Sequence, residues 1–319
     1  NRAPRVIIDE IQYVPELLSY IQVIVDEKNV PGSFILTGSQ NLLISENISQ
    51  SLAGRVGILR LLPFSLEELD QKKYDYTDYI FKGFYPRLYS FDILPEDFYS
   101  AYMETYVERD VRKLVNIRNL HLFTNFIKLC AGRTGQILDY TSLSNDCGIS
   151  VSTAKEWLSI LEASYVIFLL RPYYNNFNKR IIKRPKLYFY DTGLAAHILE
   201  IENAKQLDSH YARGFLFENM IVAELLKKRY NGGKNSNLFF YRDSNKHEID
   251  IIMDSASMRN LIELKSARTF TKDFLKEFKY WKKNIEKENV RFFVVYGGDE
   301  DFDFLGTKIV SWRNLYQNF

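Results

Sequence analysis

Short apolar segments alternate with amphipathic segments through the N-terminal part of the chain. The apolar segments lie within residues 6–8, 33–40 and 56–64 and run into polar residues or proline, and residues 16–28 and 41–55 have apolar positions at helical spacing. This alternation predicts a parallel sheet with helices packed on it. Ligands bind such sheets at the carboxyl ends of the strands, so the polar strand ends are the first candidate site.

Two acids directly follow the first apolar segment. Val6, Ile7 and Ile8 have the pattern of a buried strand, and Asp9 and Glu10 lie at its carboxyl end. Carboxylates at that position can hold a metal ion through water and polarise an attacking water molecule. The alternative is that the two acids only begin a loop, because short motifs of this kind have many chance matches.

Several motifs follow one another in an order typical of one protein family. VIIDEIQ looks like a Walker B segment, and ILTGSQ, LAGR and LLPFSLEEL come after it. Together they resemble the later core of bacterial and archaeal AAA-family ATPases. The resemblance implies ATP and Mg²⁺ as cofactors, with Asp9 ordering the Mg²⁺ ion and Glu10 positioning the hydrolytic water.

The same resemblance implies roles for three further residues. Ser39, with Thr37 as the second choice, would sense the γ-phosphate at the strand tip. Arg55 would be an arginine finger or a phosphate contact, a role that suits a planar and always charged donor. The alternative for Arg55 is a solvated arginine at a helix end. If Arg55 acts in trans, a homo-oligomer is required.

The phosphate-binding loop of such ATPases is absent from the sequence. The motif G-x-x-x-x-G-K-S/T does not occur in the 319 residues. Because that loop and its lysine hold the β- and γ-phosphates, we expect this chain alone to bind ATP weakly. We also expect that a part carrying the P-loop strand precedes Asn1.

Composition favours a multidomain cytoplasmic protein without a membrane segment. A length of 319 residues predicts two or three domains, and 46% hydrophobic residues are sufficient for packed cores. Cys130 and Cys147 are the only cysteines, so neither a disulfide framework nor a zinc site is indicated. The net charge of +2 favours no particular partner.

Residues 96–186 are predicted to be helical and to end in a winged helix-turn-helix. From residue 137 the pattern is a helix, a turn at Gly148, a second helix and two apolar strands around a polar tip. Ser150 or Ser152 is expected to cap the second helix.

This predicted unit carries residues suited to nucleic acid. The exposed side of its second helix is expected to present Ser152, Thr153, Lys155 and Glu156. The predicted wing carries five cations, which are Lys179, Arg180, Lys183, Arg184 and Lys186. Such a set would neutralise several phosphates, which favours DNA as the partner. The alternative is a winged helix that serves only for packing or dimerisation.

An acid lies on the apolar stripe of the predicted helix GFLFENMIVAELLKKRY. Glu218 shares a face with Ile221, Val222 and Leu225, because residues three, four and seven positions apart stack on one side of a helix. Burying a carboxylate costs several kcal/mol unless a cation or hydrogen bonds compensate it. We therefore expect a partner for Glu218 in the strands that follow, whereas Glu224 is expected on the solvated side.

Two predicted strands after this helix carry further acids. Alternation places Glu248, Asp250 and Ile252 on one face of the first strand, and Glu263 and Lys265 on one face of the second. Two carboxylates that hold Mg²⁺, beside a lysine that orients or deprotonates a water, suit phosphodiester hydrolysis.

The order of an acidic helix, an aspartate and a Glu-x-Lys strand resembles the PD-(D/E)xK nuclease superfamily. The resemblance implies that Asp250 and Glu263 are metal ligands, that Lys265 is the catalytic lysine and that Glu218 is an accessory acid. Ile249 stands before Asp250 where the family motif has proline.

Over its whole length the chain resembles bacterial and archaeal AAA ATPases with a C-terminal domain of unknown function. The predicted fold is a multidomain α/β protein. The remnant of a parallel-sheet AAA core (residues 1–95) precedes the helical winged-helix region (96–186) and an α/β restriction-endonuclease-like domain (187–319). The resemblance implies an ATP-binding ATPase, associated with DNA, that has a Mg²⁺-dependent nuclease-like centre. The alternative is a nucleotide-switched DNA- or protein-binding module whose nuclease fold is inactive.

Overall fold

The fold is described from a computed structural model. It describes residues 5–38, 52–69, 73–106, 119–173, 183–255, 257–284 and 289–319. In these residues the protein is a mixed α/β structure, as predicted, and no described helix combines the length and apolar character needed to cross a lipid bilayer.

The N-terminal part contains two short parallel strands and one helix. Strands β1 (Val6–Ile8) and β2 (Phe34–Leu36) pair from Val6–Phe34 to Ile8–Leu36, and helix α1 (Leu17–Lys28) connects them. The order strand, helix, parallel strand agrees with the prediction. A small core beneath this unit consists of Ile11, Leu18, Ile21 and Leu52.

The predicted third strand, residues 56–64, is not formed. This segment has no strand pairing within the described residues, and Ile58, Leu59 and Leu61 are 58%, 82% and 96% exposed. A strand forms only where its backbone groups find a neighbouring edge. In the described part of the chain, β1 and β2 pair only with each other, and the segment 56–64 lies along neither of them.

The middle part is helical and ends in a hairpin. Its helices are α2 (Tyr76–Lys82), α3 (Arg87–Ser90), α4 (Pro95–Tyr102), α5 (Leu120–Ala131), α6 (Tyr140–Cys147), α7 (Val151–Ala163) and α8 (Thr192–Ile198). The antiparallel strands β3 (Ile167–Leu170) and β4 (Lys186–Phe189) lie between α7 and α8.

Helices α6 and α7 follow one another with a short turn at Gly148, in the predicted order. Gly148 between them has a left-handed backbone with φ of 71°. Ser150 is the cap of α7, because its Oγ accepts a hydrogen bond from the backbone N–H of Thr153 at 3.0 Å. Trp157 of α7 is buried and packs edge-on against Phe123 of α5, with ring centroids 5.3 Å apart. Ala154, Leu158 and Leu161 are buried with Trp157 and form the apolar face of α7.

The C-terminal part has a mixed sheet with a long helix before it. Its helices are α9 (Arg213–Asn231), α10 (Lys276–Asn284) and α11 (Leu315–Asn318). Its strands are β5 (Leu238–Arg242), β6 (Glu248–Ser255), β7 (Met258–Lys265), β8 (Val290–Tyr296), β9 (Phe302–Phe304) and β10 (Thr307–Ser311). Within the described residues the strand order is β5-β6-β7-β8-β10-β9, and only the β7–β8 and β8–β10 pairs are parallel.

Helices cover both faces of this sheet. Ile262 and Leu264 of β7 join the large core that contains the apolar side of α9 and continues into the middle part. Leu261 of β7 joins a second core with Phe278 and Trp281 of α10. The alternation predicted for β7 is thus confirmed, and the C-terminal part is a three-layer α/β/α arrangement.

The hairpin of the middle part is joined to the edge of this sheet. After β3 the chain continues along β5, where Pro172 forms a parallel bridge with Phe240. The N–H of Tyr173 donates to the carbonyl of Phe240 at 2.7 Å, and the N–H of Phe240 donates to that of Arg171 at 3.1 Å. The predicted boundary between residues 186 and 187 lies within β4 (Lys186–Phe189).

Candidate functional site

The N-terminal candidate residues meet at the tips of β1 and β2. The hydroxyl of Thr37 donates a hydrogen bond to the carboxylate of Asp9, which also accepts from the N–H of Glu10 at 3.1 Å. Glu10 has a left-handed backbone with φ of 51°, so the chain turns sharply after Asp9. Ser39 lies outside the described residues.

Arg55 contacts helix α1. Its Nη2 atom lies 3.0 Å from Oδ2 of Asp26, and this hydrogen-bonded guanidinium lowers the pKa of the Asp26 carboxyl. The structure thus brings Asp9 and Thr37 together, whereas it places Arg55 in an ion pair on the surface.

The C-terminal candidate residues converge near one end of β6 and β7. Nζ of Lys265 lies 2.8 Å from Oε2 of Glu263 and 3.9 Å from Oδ2 of Asp250. The N–H of Leu264 donates to the same Asp250 oxygen at 2.8 Å. Lysine, aspartate and glutamate therefore form one contiguous group, as the sequence predicted.

A bulge in β6 explains the position of Asp250. Between the pairs Phe239–Ile252 and Tyr241–Ile249, β5 advances two residues and β6 advances three. The extra residue breaks the alternation, so Ile252 joins the α10 side of the sheet together with Ile249. The prediction that Ile252 shares a face with Asp250 is wrong for this reason.

The pairing of β6 with β7 ends just before the acids. Its last pair in this direction is Ile251–Ile262, and Asp250 and Glu263 are the next residues on the two strands. With no backbone ladder beyond this pair, Asp250 uses its side chain to accept the N–H of Leu264. The two carboxylates lie where the strands stop pairing.

Glu263 is buried and only partly satisfied. Its residue is 3% exposed, and its Oε1 atom has no hydrogen-bond partner among the described residues. Burial raises the pKa of Glu263 well above its ordinary value, and the charge of Asp250 adds to this, whereas Lys265 opposes it. A buried carboxylate oxygen in this position is free to accept a cation or a water molecule.

Lys186, the first residue of β4, is an unpredicted member of the site. Its Nζ atom lies 2.9 Å from Oε1 of Glu218, 2.6 Å from Oε1 of Glu248 and 3.9 Å from Oδ1 of Asp250. Its side chain is only 3% exposed. The prediction that Lys186 is a solvated cation of the wing is wrong, because all of β4 is buried.

The predicted need of Glu218 for a partner is confirmed, but the partner lies elsewhere. Lys186 and the hydroxyl of Tyr188, at 2.5 Å, both come from the strand before α9 and not from the strands after it. Burial raises the pKa of Glu218, and Lys186 limits that shift. Although burial opposes it, the neighbouring acids, Glu218 foremost, raise the pKa of Lys186 well above its ordinary value. The sequence did contain a signal for this contact, because Lys186 and Tyr188 alternate along one strand and so lie on the same face.

The other predicted wing cations have varied environments. Arg184 forms an ion pair with Asp139, and Lys179 and Arg180 lie outside the described residues. Arg242 of β5, a further basic residue near the site, lies 3.2 Å from Glu248.

Glu224 on α9 is buried, which contradicts its predicted exposure. Neither Glu224 nor Lys227 is solvated, and their charged atoms lie 2.7 Å apart. The N–H of Leu66 donates to Oε2 of Glu224 at 2.6 Å, because the segment around Leu66 covers the side of α9 that the helical pattern marks as polar.

The carboxylates that could hold a metal ion are a pair. In the described residues no group of three or more His, Cys, Asp or Glu side chains is arranged to hold a metal. Asp250 and Glu263 remain as candidate ligands, and the unpartnered Oε1 of Glu263 fits a hard cation that prefers oxygen.

Comparison with known proteins agrees with the N-terminal motifs. Residues 1–70 match the family model described as "AAA domain". The N-terminal 70 residues are therefore similar to an AAA domain. Residues 73–205 and 213–315 match two models described as domains of unknown function, DUF8612 and DUF4143.

Relatives of this chain occur in bacteria and archaea. An "Uncharacterized protein" of Mycobacterium tuberculosis is 25% identical over 314 residues, which are 95% of this chain and 67% of that protein. One of Methanocaldococcus jannaschii is 24% identical over 331 residues, covering 92% of this chain and 69% of that protein. One of Haemophilus influenzae is 24% identical over 241 residues, covering 70% of this chain and 58% of that protein.

Proposed function

We propose that this AAA-like protein carries a Mg²⁺-dependent phosphodiesterase centre of the PD-(D/E)xK nuclease type in its C-terminal part. The observation that carries the proposal is the group of Asp250, Glu263 and Lys265 at the end of the β6–β7 pairing, where one buried Glu263 oxygen has no hydrogen-bond partner in the described part of the chain. The order of Glu218 on α9, Asp250 on β6 and Glu263-x-Lys265 on β7 supports it.

The residues of this centre have distinct roles in the proposal. Asp250 and Glu263 would hold a Mg²⁺ ion, which when bound polarises a phosphate oxygen and lowers the pKa of water. Lys265, whose pKa the carboxylates raise against the opposing effect of burial, stays charged and stabilises negative charge on the phosphate. Glu218, bonded to Lys186 and Tyr188, acts as an accessory acid that supports the site from outside the ligand pair.

Nucleic acid, with DNA favoured, is the proposed substrate and partner. The helix-turn-helix of α6 and α7 is followed by a hairpin, the order expected of a winged helix. Ser152, Lys155 and Glu156 on α7 are exposed. Because Arg184 is paired and Lys186 is buried, contact through this unit would use fewer phosphates, and its salt dependence would be shallower than the sequence alone predicts.

At the N-terminal end we propose nucleotide binding by the complete ATPase. Asp9, held by the Thr37 hydroxyl at a strand tip, is the proposed Mg²⁺ contact, and Glu10 the residue that positions water. A homo-oligomer is proposed only if Arg55 exchanges Asp26 for a phosphate of a neighbouring subunit.

A second candidate function rests on the charge balance of the same centre. Lys186 and Lys265 neutralise much of the charge of Glu218, Glu248, Asp250 and Glu263. A network of this kind can be a purely structural link. In that case the protein is a nucleotide-switched binding module on an inactive nuclease fold.

Calorimetric titration of Mn²⁺ into the chain separates these functions. The variants are Asp250→Asn and Glu263→Gln, and Asp273→Asn, an exposed acid at the start of a short 3-10 helix, is the matched control. We expect binding to the wild type and to Asp273→Asn and loss of binding in the other two. No Mn²⁺ binding to the folded wild type would overturn the metal centre and favour the binding module.

A further inference from the structure

Three carboxylates surround the ammonium group of Lys186. Glu218 on α9 and Glu248 on β6 contact Nζ at 2.9 and 2.6 Å, and Asp250 approaches to 3.9 Å. Carboxylate oxygens from two secondary-structure elements thus contact one ammonium group, and a third carboxylate oxygen lies within ion-pair distance of it.

The charge of this cluster requires a cation at that position. The described residues of this cluster include three basic side chains, Lys186, Lys265 and Arg242. They also include four acids, which are Glu218, Glu248, Asp250 and Glu263. Charged groups removed from water without a partner cost several kcal/mol each. Lys265 forms an ion pair with Glu263, and Arg242 contacts one oxygen of Glu248. Lys186 is therefore the positive charge that balances Glu218.

The backbone holds Lys186 firmly in place. Lys186 pairs with Leu170 in the hairpin and bridges to Ile137 on its other side. Its Nζ lies 5.5 Å from the ring centre of Phe240, and its side chain is 3% exposed. Strand β4 of the middle part therefore holds the ammonium group of Lys186 in the site.

We propose that the ammonium group of Lys186 takes the position of a second divalent cation, so that the native site accepts one metal ion and loss of the lysine opens a second. This inference rests on the proposed function, in which the first ion binds Asp250 and Glu263. The unpartnered Oε1 of buried Glu263 marks that first position, whereas the oxygens of Glu218 and Glu248 are occupied by Lys186. Lys186 also keeps these two acids from competing with Asp250 for the first ion.

The test is the number of Mn²⁺ ions bound per chain, measured by calorimetry. We expect one ion in the wild type and in Lys186→Arg, which keeps a cation, and two ions in Lys186→Met. The additional ion should disappear in the double variant Lys186→Met/Glu248→Gln. A folded Lys186→Met protein that binds no more Mn²⁺ than Lys186→Arg would overturn the inference.

Thermal unfolding with and without Mn²⁺ covers the case in which Lys186→Met folds poorly. We expect Mn²⁺ to raise the unfolding temperature of Lys186→Met more than that of the double variant, since binding to the native state stabilises it. Equal shifts would contradict the inference. If the wild type binds no Mn²⁺ but Lys186→Met binds one, the proposed function fails, whereas the statement that the Lys186 ammonium group occupies a cation position holds.

Discussion

Nζ of Lys227 lies 2.7 Å from Oε1 of Glu224, one turn earlier on α9, and both side chains are excluded from solvent. Lys227 also donates to the carbonyl of Phe64 at 2.8 Å, and Glu224 accepts from the N–H of Leu66 at 2.6 Å. The pair therefore bonds a segment of the AAA-matched region to a helix of the C-terminal part. If that segment moved, it would either break these buried hydrogen bonds or move together with α9.

Removal of one partner should destabilise this junction strongly. We expect Lys227→Met to lower the free energy of unfolding by about 3–5 kcal/mol, because Glu224 is left as an unpaired buried charge. The double variant Lys227→Met/Glu224→Gln should recover a large part of that loss. Urea unfolding measures the effect, with the exposed Lys279→Met as control. A Lys227→Met protein as stable as the control would contradict the expected role of the pair.

Gly83 should not tolerate a side chain. Its φ is 72°, and an added Cβ would lie 1.8 Å from the hydroxyl oxygen of Tyr99 and 2.6 Å from Asp191. Gly148 has a similar φ of 71° with open space around it, so Gly148→Ala isolates the backbone strain. We expect a cost of roughly 1–2 kcal/mol for Gly148→Ala from the left-handed conformation. Gly83→Ala should cost at least about 1–3 kcal/mol more, because of the overpacking. Equal losses in denaturant unfolding would refute the close contact.

The stability contribution of Asp191 should depend on pH. Its carboxylate accepts from the hydroxyl of Tyr99 at 2.6 Å and from the N–H groups of Phe84 and Leu194 at 2.7 and 2.8 Å. Burial nevertheless raises its pKa above the ordinary value of 3.8. The folded state therefore keeps this proton to higher pH than the unfolded chain does. The resulting stability is complete below pH 3.8 and is lost as the pH rises through the raised pKa.

Asp191→Asn, which cannot titrate, provides the measurement. Its free energy of unfolding relative to the wild type should increase as the pH rises above 3.8. Denaturant titrations of both proteins at several pH values give this difference in the free energy of unfolding. The contributions of the other titrating groups are common to both proteins and cancel. A difference that does not change with pH, or that changes in the opposite direction, would mean that Asp191 does not hold its proton in the fold.

The chain of 319 residues should bind ATP poorly, since its sequence contains no glycine-rich phosphate loop. We expect a Kd on the order of 1 mM or weaker for MgATP by calorimetry, equivalent to about −4 kcal/mol. Asp9→Asn serves as the control for residual binding at the strand tips. A micromolar Kd would show that phosphates are held by a different group of residues.

The limits of prediction from this sequence can be seen in individual residues. Glu263, Lys265 and Leu261 follow strand alternation, a local property, and β7 obeys it. Ile252 does not follow it, because the bulge at Asp250 depends on the pairing with β5. The burial of Glu224 could not be predicted from the pattern of its helix, since its partner Leu66 is 158 residues away in the chain. Lys186 looks like a wing cation until the packing of β4 against α9 is known.

The bridge between Pro172 and Phe240 covers part of an edge strand of the sheet. β5 is the first strand of the six-stranded sheet, and such a border strand offers free N–H and carbonyl groups to any passing chain. Residues 171–173 occupy the N–H and carbonyl groups of Phe240, and proline, which has no N–H, limits further growth of the sheet. A fragment that begins at α9 would lose this cover and would be prone to stack with its own copies into aggregates.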